Sequence, residues 1–150
     1  MFKHGFMHEL ADLLKTKEET YILLIDVIGF IKFNEDYGFR MGDKALQEAI
    51  NRISMHTTED MTLISLAGDE WIIFTNFKKN VEAEKIAEQI LQYNNNKVKY
   101  CGIEAPLQLR IAIINTDLIE YRNSIFAAKE IDVYMNQLKT STDFLLNSKK

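Results

Sequence analysis

The sequence predicts an α/β protein of the α+β kind, in which helices flank a mixed sheet. Apolar runs short enough for strands alternate with segments whose apolar residues recur at helical spacing. Two of the strand runs, at 61–67 and 70–76, are separated only by Gly68 and Asp69, so we expect them to form an antiparallel hairpin. The resulting order, αβαββαβα, places helices between the other strands and therefore predicts a mixed sheet covered by helices.

The first helix and strand are indicated by spacing and length. In residues 6–14, Phe6, Leu10 and Leu13 recur at helical intervals, so this segment is predicted to be a helix with one apolar face. The run YILLIDV, at 21–27, is nearly all apolar and too short for a buried helix. It is therefore predicted to be a central strand that is covered on both faces.

The remaining elements follow from the same rules. A second helix is expected from Asp43 onward, because Leu46, Ala49 and Ile53 lie on one side of it. After the hairpin, apolar spacing or alternation predicts further elements. These are a helix at 81–91, a strand at 107–115, a long helix at 118–138 and a short terminal strand at 144–146.

Composition limits the classes of protein that the chain can represent. The 150 residues are 47% apolar and 27% charged, without an internal repeat or a linker-like segment, so one domain over 1–150 is expected. A net charge of −4 argues against nucleic acid as a partner. Cys101 is the single cysteine, which excludes an internal disulfide. No apolar run reaches the length of a membrane span, so we expect a cytoplasmic domain.

Acidic residues stand where two strands end. Asp26 closes the first apolar strand, while Asp69 and Glu70 lie at the tip of the hairpin. Ligands of open sheets gather at loops that leave the strand ends, so these acids are candidates to face one cleft. Carboxylates held close together repel one another, and Mg²⁺, which prefers oxygen ligands, relieves that repulsion. The alternative is that they are ordinary solvated acids in turns.

A longer pattern surrounds these acids. The segments LLIDVIGFIKFNEDYGFRMGDKAL, at 23–46, and AGDEW, at 67–71, resemble the GGDEF family of diguanylate cyclases. The corresponding family segments read approximately LLIDIDxFKxINDxxGHxxGDxxL and GGDEF. Weaker similarity extends from Phe6 through the last helix, so the resemblance covers essentially the whole chain.

The resemblance implies a palm-like, mostly antiparallel sheet of the nucleotide-cyclase type and condensation of two GTP molecules to cyclic di-GMP. Two Mg²⁺ or Mn²⁺ ions would be held by the Asp26 carboxylate, the Val27 carbonyl and the Asp69 carboxylate. By the same resemblance, Asp69 and Glu70 are the catalytic acids. Catalysis would also require a homodimer, because each copy supplies one GTP.

The resemblance likewise assigns residues to the substrate. Asn34 and Asp43 match the pair that reads the guanine edge, and their oxygens suit the N1 and N2 donors of the base. Phe30 matches the Phe of the FK motif, and Lys32 stands beside the position where the family Lys is replaced by Ile31.

Several positions depart from the family pattern. Gln137 and Ser141 replace the Lys and Arg that contact the triphosphate, and Lys139 is the remaining cation in that segment. Without these charge-assisted hydrogen bonds, at roughly 1.5–3 kcal/mol each, triphosphate binding is weaker. The RxxD motif of the inhibitory product site would fall on Thr58 to Met61 and is absent, so no product-inhibition site is expected.

Two functions therefore remain open from the sequence. The first is a weak diguanylate cyclase, which the four acids and amides Asp26, Asn34, Asp43 and Asp69 favour. The second is a degenerate GGDEF module that binds GTP or a protein partner and regulates a sensor protein from which the domain would be excised. Hydrolysis of a phosphodiester in the same cleft is a third reading, but no dedicated residue supports it.

Overall fold

A computed structural model describes residues 4–16 and 18–148 of the chain. It contains five α-helices, two short 3-10 helices (Gln92–Asn95 and Thr116–Leu118) and seven strands within those residues. The α-helices are α1 (His4–Lys15), α2 (Phe30–Tyr37), α3 (Phe39–Ser54), α4 (Asn80–Leu91) and α5 (Ser124–Lys139). The strands are β1 (Tyr21–Val27), β2 (Thr62–Ala67), β3 (Glu70–Phe74), β4 (Lys97–Tyr100), β5 (Ile103–Pro106), β6 (Leu109–Asn115) and β7 (Leu145–Ser148).

The main sheet has five strands in the order β2-β3-β1-β6-β7. Strand β1 lies in the middle and pairs antiparallel with both β3 and β6, while β2 pairs antiparallel with β3. The last pair, β6 with β7, is parallel. The predicted mixed, mostly antiparallel sheet with flanking helices is therefore confirmed.

Helices cover both faces of this sheet. Alternate side chains of each strand point to opposite faces, and the buried residues accordingly divide into two clusters. One cluster joins Leu23 and Ile25 of β1 to α2, α3 and α4, and the other joins Ile22 and Leu24 to α1 and α5. All seven residues of β1 are buried, which explains its nearly continuous apolar sequence.

Some elements differ from the prediction. Helix α2 was not predicted, and α3 begins at Phe39 rather than at Asp43. The two-stranded sheet of β4 and β5 was also not predicted. The long helix was predicted to begin at 118, but α5 begins at Ser124 because the side chain of Asn123 accepts hydrogen bonds from the first helical backbone amides.

Within residues 4–16 and 18–148, no helix is long and apolar enough to cross a membrane.

Candidate functional site

The end of β1 brings the three predicted acids together. Asp26 is the register partner of Glu70 across the β1–β3 ladder. The next amide, that of Val27, donates to the backbone carbonyl of Asp69 at 3.1 Å. The tip of the β2–β3 hairpin is thus hydrogen-bonded to the end of the central strand, and Asp26, Asp69 and Glu70 lie at the same end of these strands.

An irregularity in β2 shapes this hairpin tip. The register between β2 and β3 shifts between Ser65 and Ala67, so that Ala67 pairs with Glu70. The hydroxyl of Ser65 donates to the carbonyl of Ala67 at 2.9 Å and closes the bulge. Such a bulge increases the local twist of a strand and redirects the residues that follow it.

Asp26 is almost fully buried, and an arginine holds its carboxylate. Arg110 donates from Nε to Oδ1 of Asp26 at 3.2 Å and from Nη2 to Oδ2 at 3.0 Å. The two residues are register partners on β1 and β6, and their side chains point to the face covered by α1 and α5. A guanidinium with two parallel bonds to a carboxylate is among the strongest polar contacts in proteins.

The same guanidinium reaches the segment that follows α5. Its Nη1 donates to the backbone carbonyl of Ser141 at 3.0 Å. All three nitrogens of the Arg110 guanidinium therefore have acceptors, so this side chain links β1, β6 and the turn before β7.

A second ion pair lies next to the first. Lys139, at the end of α5, contacts Glu70 with 2.5 Å between Nζ and Oε2. Burial opposes the charged form of Lys139, but the hydrogen bond to Glu70 and the charges of Glu70, Asp69 and Asp26 together raise its pKa above the ordinary value. The three acids are thus accompanied by two cations of the chain itself.

The environment of Asp26 disfavours its charge despite the arginine. Burial is the largest influence and raises the pKa of the Asp26 carboxyl, and the negative charge of Asp69 raises it further. The hydrogen bonds and charge of Arg110, and the charge of Lys139, act in the opposite direction without overcoming burial. Asp26 therefore depends on nearby cations for its ionised form.

The residues predicted to read guanine lie on α2 and α3. The amide oxygen of Asn34 is buried and, among the described residues, has no hydrogen-bond partner. It rests against Gly42, where a Cβ would lie 1.8 Å from Oδ1 and 3.5 Å from the Phe30 ring. Asp43 follows Gly42 and is exposed. The unpartnered Asn34 acceptor and the Phe30 ring thus both lie close to Gly42, and the exposed Asp43 is the next residue along α3.

Lys32 pairs with an acid of its own helix. Its side chain is 77% exposed and pairs with Asp36 on the same helix at 3.2 Å. Ile31, which replaces the family Lys, and Phe39, at the start of α3, are also strongly exposed. Gln137 is exposed on α5, and Ser141 contributes its backbone carbonyl to Arg110.

The oxygen atoms at the end of β1 are of the kind that bind a hard divalent cation. Carboxylates of Asp26 and Asp69, with a backbone carbonyl at Val27, form the oxygen set that Mg²⁺ and Mn²⁺ prefer. Within the described part of the chain no group of three or more His, Cys, Asp or Glu side chains is arranged for a metal. Both oxygens of Asp26 are bonded to Arg110, so a metal there would have to share or replace that contact.

Arg110 is a residue of the site that the sequence did not lead us to predict. A signal was present, because it is the one charged residue in the mostly apolar run LQLRIAIIN. A charged side chain on a buried strand needs a partner of opposite charge, and Asp26 is the acid on the neighbouring strand. The sequence indicates Lys139 as a cation of its segment, whereas its pairing with Glu70 is seen only in the structure.

Comparison with known proteins places this arrangement in a family. The family described as "Diguanylate cyclase, GGDEF domain" matches residues 1–143. Diguanylate cyclase A of Treponema denticola is 30% identical over 126 residues, covering 77% of this chain and 34% of that protein. Two further relatives are covered over 16% and 10% of their lengths, so the chain spans a small part of the proteins it matches.

Solved structures share the fold. The GGDEF domain of PA1120 (YfiN or TpbB) from Pseudomonas aeruginosa superimposes with a TM-score of 0.83 at 20% identity, over 99% of this chain and 96% of that one. The GGDEF domain of DgcB from Caulobacter crescentus, solved in complex with c-di-GMP, gives 0.74 at 13% identity, over 97% and 87%. With the sequence match over nearly its whole length, the chain belongs to the GGDEF family of diguanylate cyclase domains.

Proposed function

We propose that this GGDEF domain acts in cyclic di-GMP signalling, binds GTP with a divalent cation, and condenses two GTP molecules to cyclic di-GMP at a low rate. The observation that carries the proposal is the meeting of Asp26, Asp69 and Glu70 at the end of β1, joined by the 3.1 Å hydrogen bond from Val27 to Asp69. We take residues 1–150 as one such domain, working in the cytoplasm as part of a larger sensor protein.

The base would bind between α2 and α3. Guanine presents N–H donors on its N1 and N2 edge, and these suit the unpartnered Oδ1 of Asn34 and the exposed carboxylate of Asp43. A buried acceptor without a partner is costly for the free protein, so a ligand that donates to it recovers that cost on binding. Phe30 supports this pocket from behind, since its ring packs beside Gly42.

The acids would hold the cation and the reacting groups. Asp26, the Val27 carbonyl and Asp69 supply the oxygen ligands, and Glu70 stands beside them in its pair with Lys139. A bound Mg²⁺ or Mn²⁺ would neutralise the triphosphate and lower the pKa of the attacking 3′ hydroxyl. Lys139 would offer positive charge to phosphate, and so would substitute in part for the family cations that Gln137 and Ser141 replace.

The overall reaction requires two copies of the chain. Each 3′ hydroxyl attacks the α-phosphate of the GTP on the other copy, so two phosphodiester bonds form and two pyrophosphates leave. A homodimer with the two sites facing each other is therefore part of the proposal.

The test is incubation with labelled GTP and Mg²⁺ or Mn²⁺ at high protein concentration. We expect cyclic di-GMP from the wild type and from the control Glu88→Gln, an exposed acid on α4, and none from Asp69→Asn. Product that persists in Asp69→Asn refutes the assignment of the acids.

A second candidate is a GGDEF module that binds guanine nucleotide or a protein partner without turnover. The ion pairs of Asp26 with Arg110 and of Glu70 with Lys139 favour it, because they neutralise two of the acids within the chain. In the same assay, tight GTP binding without any product selects this candidate.

A further inference from the structure

Arg110 lies next to the proposed cation site, because it pairs with Asp26. Its side chain is 11% exposed and that of Asp26 is 2% exposed, with 3.0 Å between Nη2 and Oδ2. Water screens such a contact poorly, so the two charges interact more strongly than a surface pair. In the structure, Asp26 already has a cation bound to both of its oxygens.

A divalent ion on Asp26 would meet this guanidinium at close range. Each carboxylate oxygen can accept more than one contact, so crowding alone does not exclude the ion. The obstacle is repulsion between like charges, which in a buried site costs far more than in water. The ion would therefore bind weakly while Arg110 stays, or bind well once Arg110 has moved.

We propose that Arg110 is an internal counter-cation that competes with divalent metal for Asp26, and that metal binding displaces it. The inference rests on the proposed metal-dependent nucleotide binding. In the metal-free domain Arg110 keeps the buried carboxylate paired, which removes the penalty of an isolated buried charge. The same pairing lowers the affinity of the site for metal.

Displacement of Arg110 would also alter the segment after α5. Nη1 of Arg110 donates to the carbonyl of Ser141 at 3.0 Å. The hydroxyl of Ser141 in turn accepts from the backbone amide of Asp143 at 3.0 Å. When the guanidinium leaves Asp26, the Ser141 carbonyl is deprived of its donor, so the turn that leads into β7 is coupled to the state of the metal site.

The experiment measures Mn²⁺ binding by the electron paramagnetic resonance signal of free Mn²⁺, with and without GTP. The variants are Arg110→Gln, Arg110→Lys, the double variant Asp26→Asn with Arg110→Gln, and the control Arg122→Gln, which removes an exposed arginine before α5. We expect Arg110→Gln to bind Mn²⁺ at least about tenfold more tightly than the wild type, because a buried like charge has been removed. Arg122→Gln should match the wild type, Arg110→Lys should lie between, and the double variant should lose the gain.

Equal Mn²⁺ affinity of Arg110→Gln and Arg122→Gln overturns the inference. If the two variants share one affinity and Asp69→Asn loses it, the proposed metal-dependent function stands and only the inference about Arg110 is overturned. If no variant binds Mn²⁺ even with GTP, both the inference and the metal-dependent function are overturned.

A second measurement on the wild type remains decisive if Arg110→Gln does not fold. The Nε–H signal of Arg110, assigned by its loss in Arg110→Lys, is followed by nuclear magnetic resonance during titration with Mg²⁺. We expect this signal and the amide of Ser141 to shift together as metal binds. A shift of the Asp69 amide with an unmoved Arg110 signal overturns the displacement.

Discussion

Replacing Gly42 by alanine tests the base pocket with a single added methyl group. The Cβ would lie 1.8 Å from Oδ1 of Asn34 and 3.0 Å from its Cγ. Because non-bonded heavy atoms pack best at roughly 3.5–4.0 Å, the amide has to retreat by more than about 1 Å. Asn34 can do so by rotating, since the atom in conflict is the end of a side chain. The backbone of α3 is not forced to move.

The expected effect on binding follows from the hydrogen bond that Asn34 can no longer make. A neutral hydrogen bond contributes about 0.5–1.5 kcal/mol, and a base donor left buried without an acceptor costs about 1–3 kcal/mol. The affinity of Gly42→Ala for GTP should therefore fall by roughly 5- to 100-fold. Alanine favours an α-helix over glycine by about 1 kcal/mol, so the free energy of unfolding should stay near that of the wild type or rise.

Titration calorimetry with GTP and ITP, together with thermal unfolding, separates these effects. ITP lacks the 2-amino group, so the wild type should prefer GTP and Gly42→Ala should lose much of that preference. Asn51→Ala, on the exposed side of α3, serves as the control and should bind like the wild type. An unchanged GTP affinity, or an unchanged ratio of GTP to ITP affinity, would refute the reasoning that Asn34 reads the base.

Two further predictions concern buried charges. Arg52 is 2% exposed and donates to the carbonyls of Leu107 at 2.8 Å and Asn96 at 3.2 Å. Arg52→Met should therefore lower the free energy of unfolding, measured by urea denaturation, by roughly 2–4 kcal/mol. A decrease below about 1 kcal/mol would contradict this. The pKa of Asp26, raised chiefly by burial, should rise further in Arg110→Gln, as measured by carboxyl ¹³C titration. As pH rises, the Asp26 carboxyl ionises in the unfolded chain before it does so in the folded chain, because its folded pKa is raised. The free energy of unfolding of the wild type, relative to that of Asp26→Asn, should therefore fall as pH rises from the ordinary pKa of 3.8 through the raised pKa. A constant difference over that range would be inconsistent with the raised pKa.

The regular parts of the fold could be predicted because each of their sequences shows one clear apolar pattern, either a helical spacing or a short continuous run. The run YILLIDV is apolar on both faces, and β1 is indeed covered by both clusters. Helix α2 was missed because it is only eight residues long. Phe30, Phe33 and Tyr37 do follow helical spacing, and each ring lies next to the following one along one side of the helix, so the signal was there in a short segment.

The hairpin of β4 and β5 was missed for a different reason. Its turn places Cys101 at a φ of 48° and Gly102 at 78°, and two such positive values are typical of a tight hairpin turn. Asn-Gly or Asp-Gly is the usual sign of that turn, and cysteine at the first position hides it.

The candidate site was only partly accessible from the sequence. Asp26, Asp69 and Glu70 stand at positions where local patterns end, so their placement at strand ends could be predicted. The partner of Asp26 could not be chosen in this way, because Arg110 becomes its neighbour only through the register of β1 with β6. Pairing across strands that are distant in sequence depends on tertiary structure, and no local period encodes it.

The bulge in β2 constrains how this hairpin can vary in length. Leu66 is the extra residue between Ser65 and Ala67, and it packs against the cluster beneath α1 and α5. Deleting it would leave Ser65 opposite Trp71 and Ala67 opposite Glu70, so the ladder would continue without the bulge and Ile64 would keep its face. A length change at the bulge should therefore alter only the hairpin tip, whereas a one-residue change inside the paired part of β2 would shift the register and turn the side chains before it to the opposite faces.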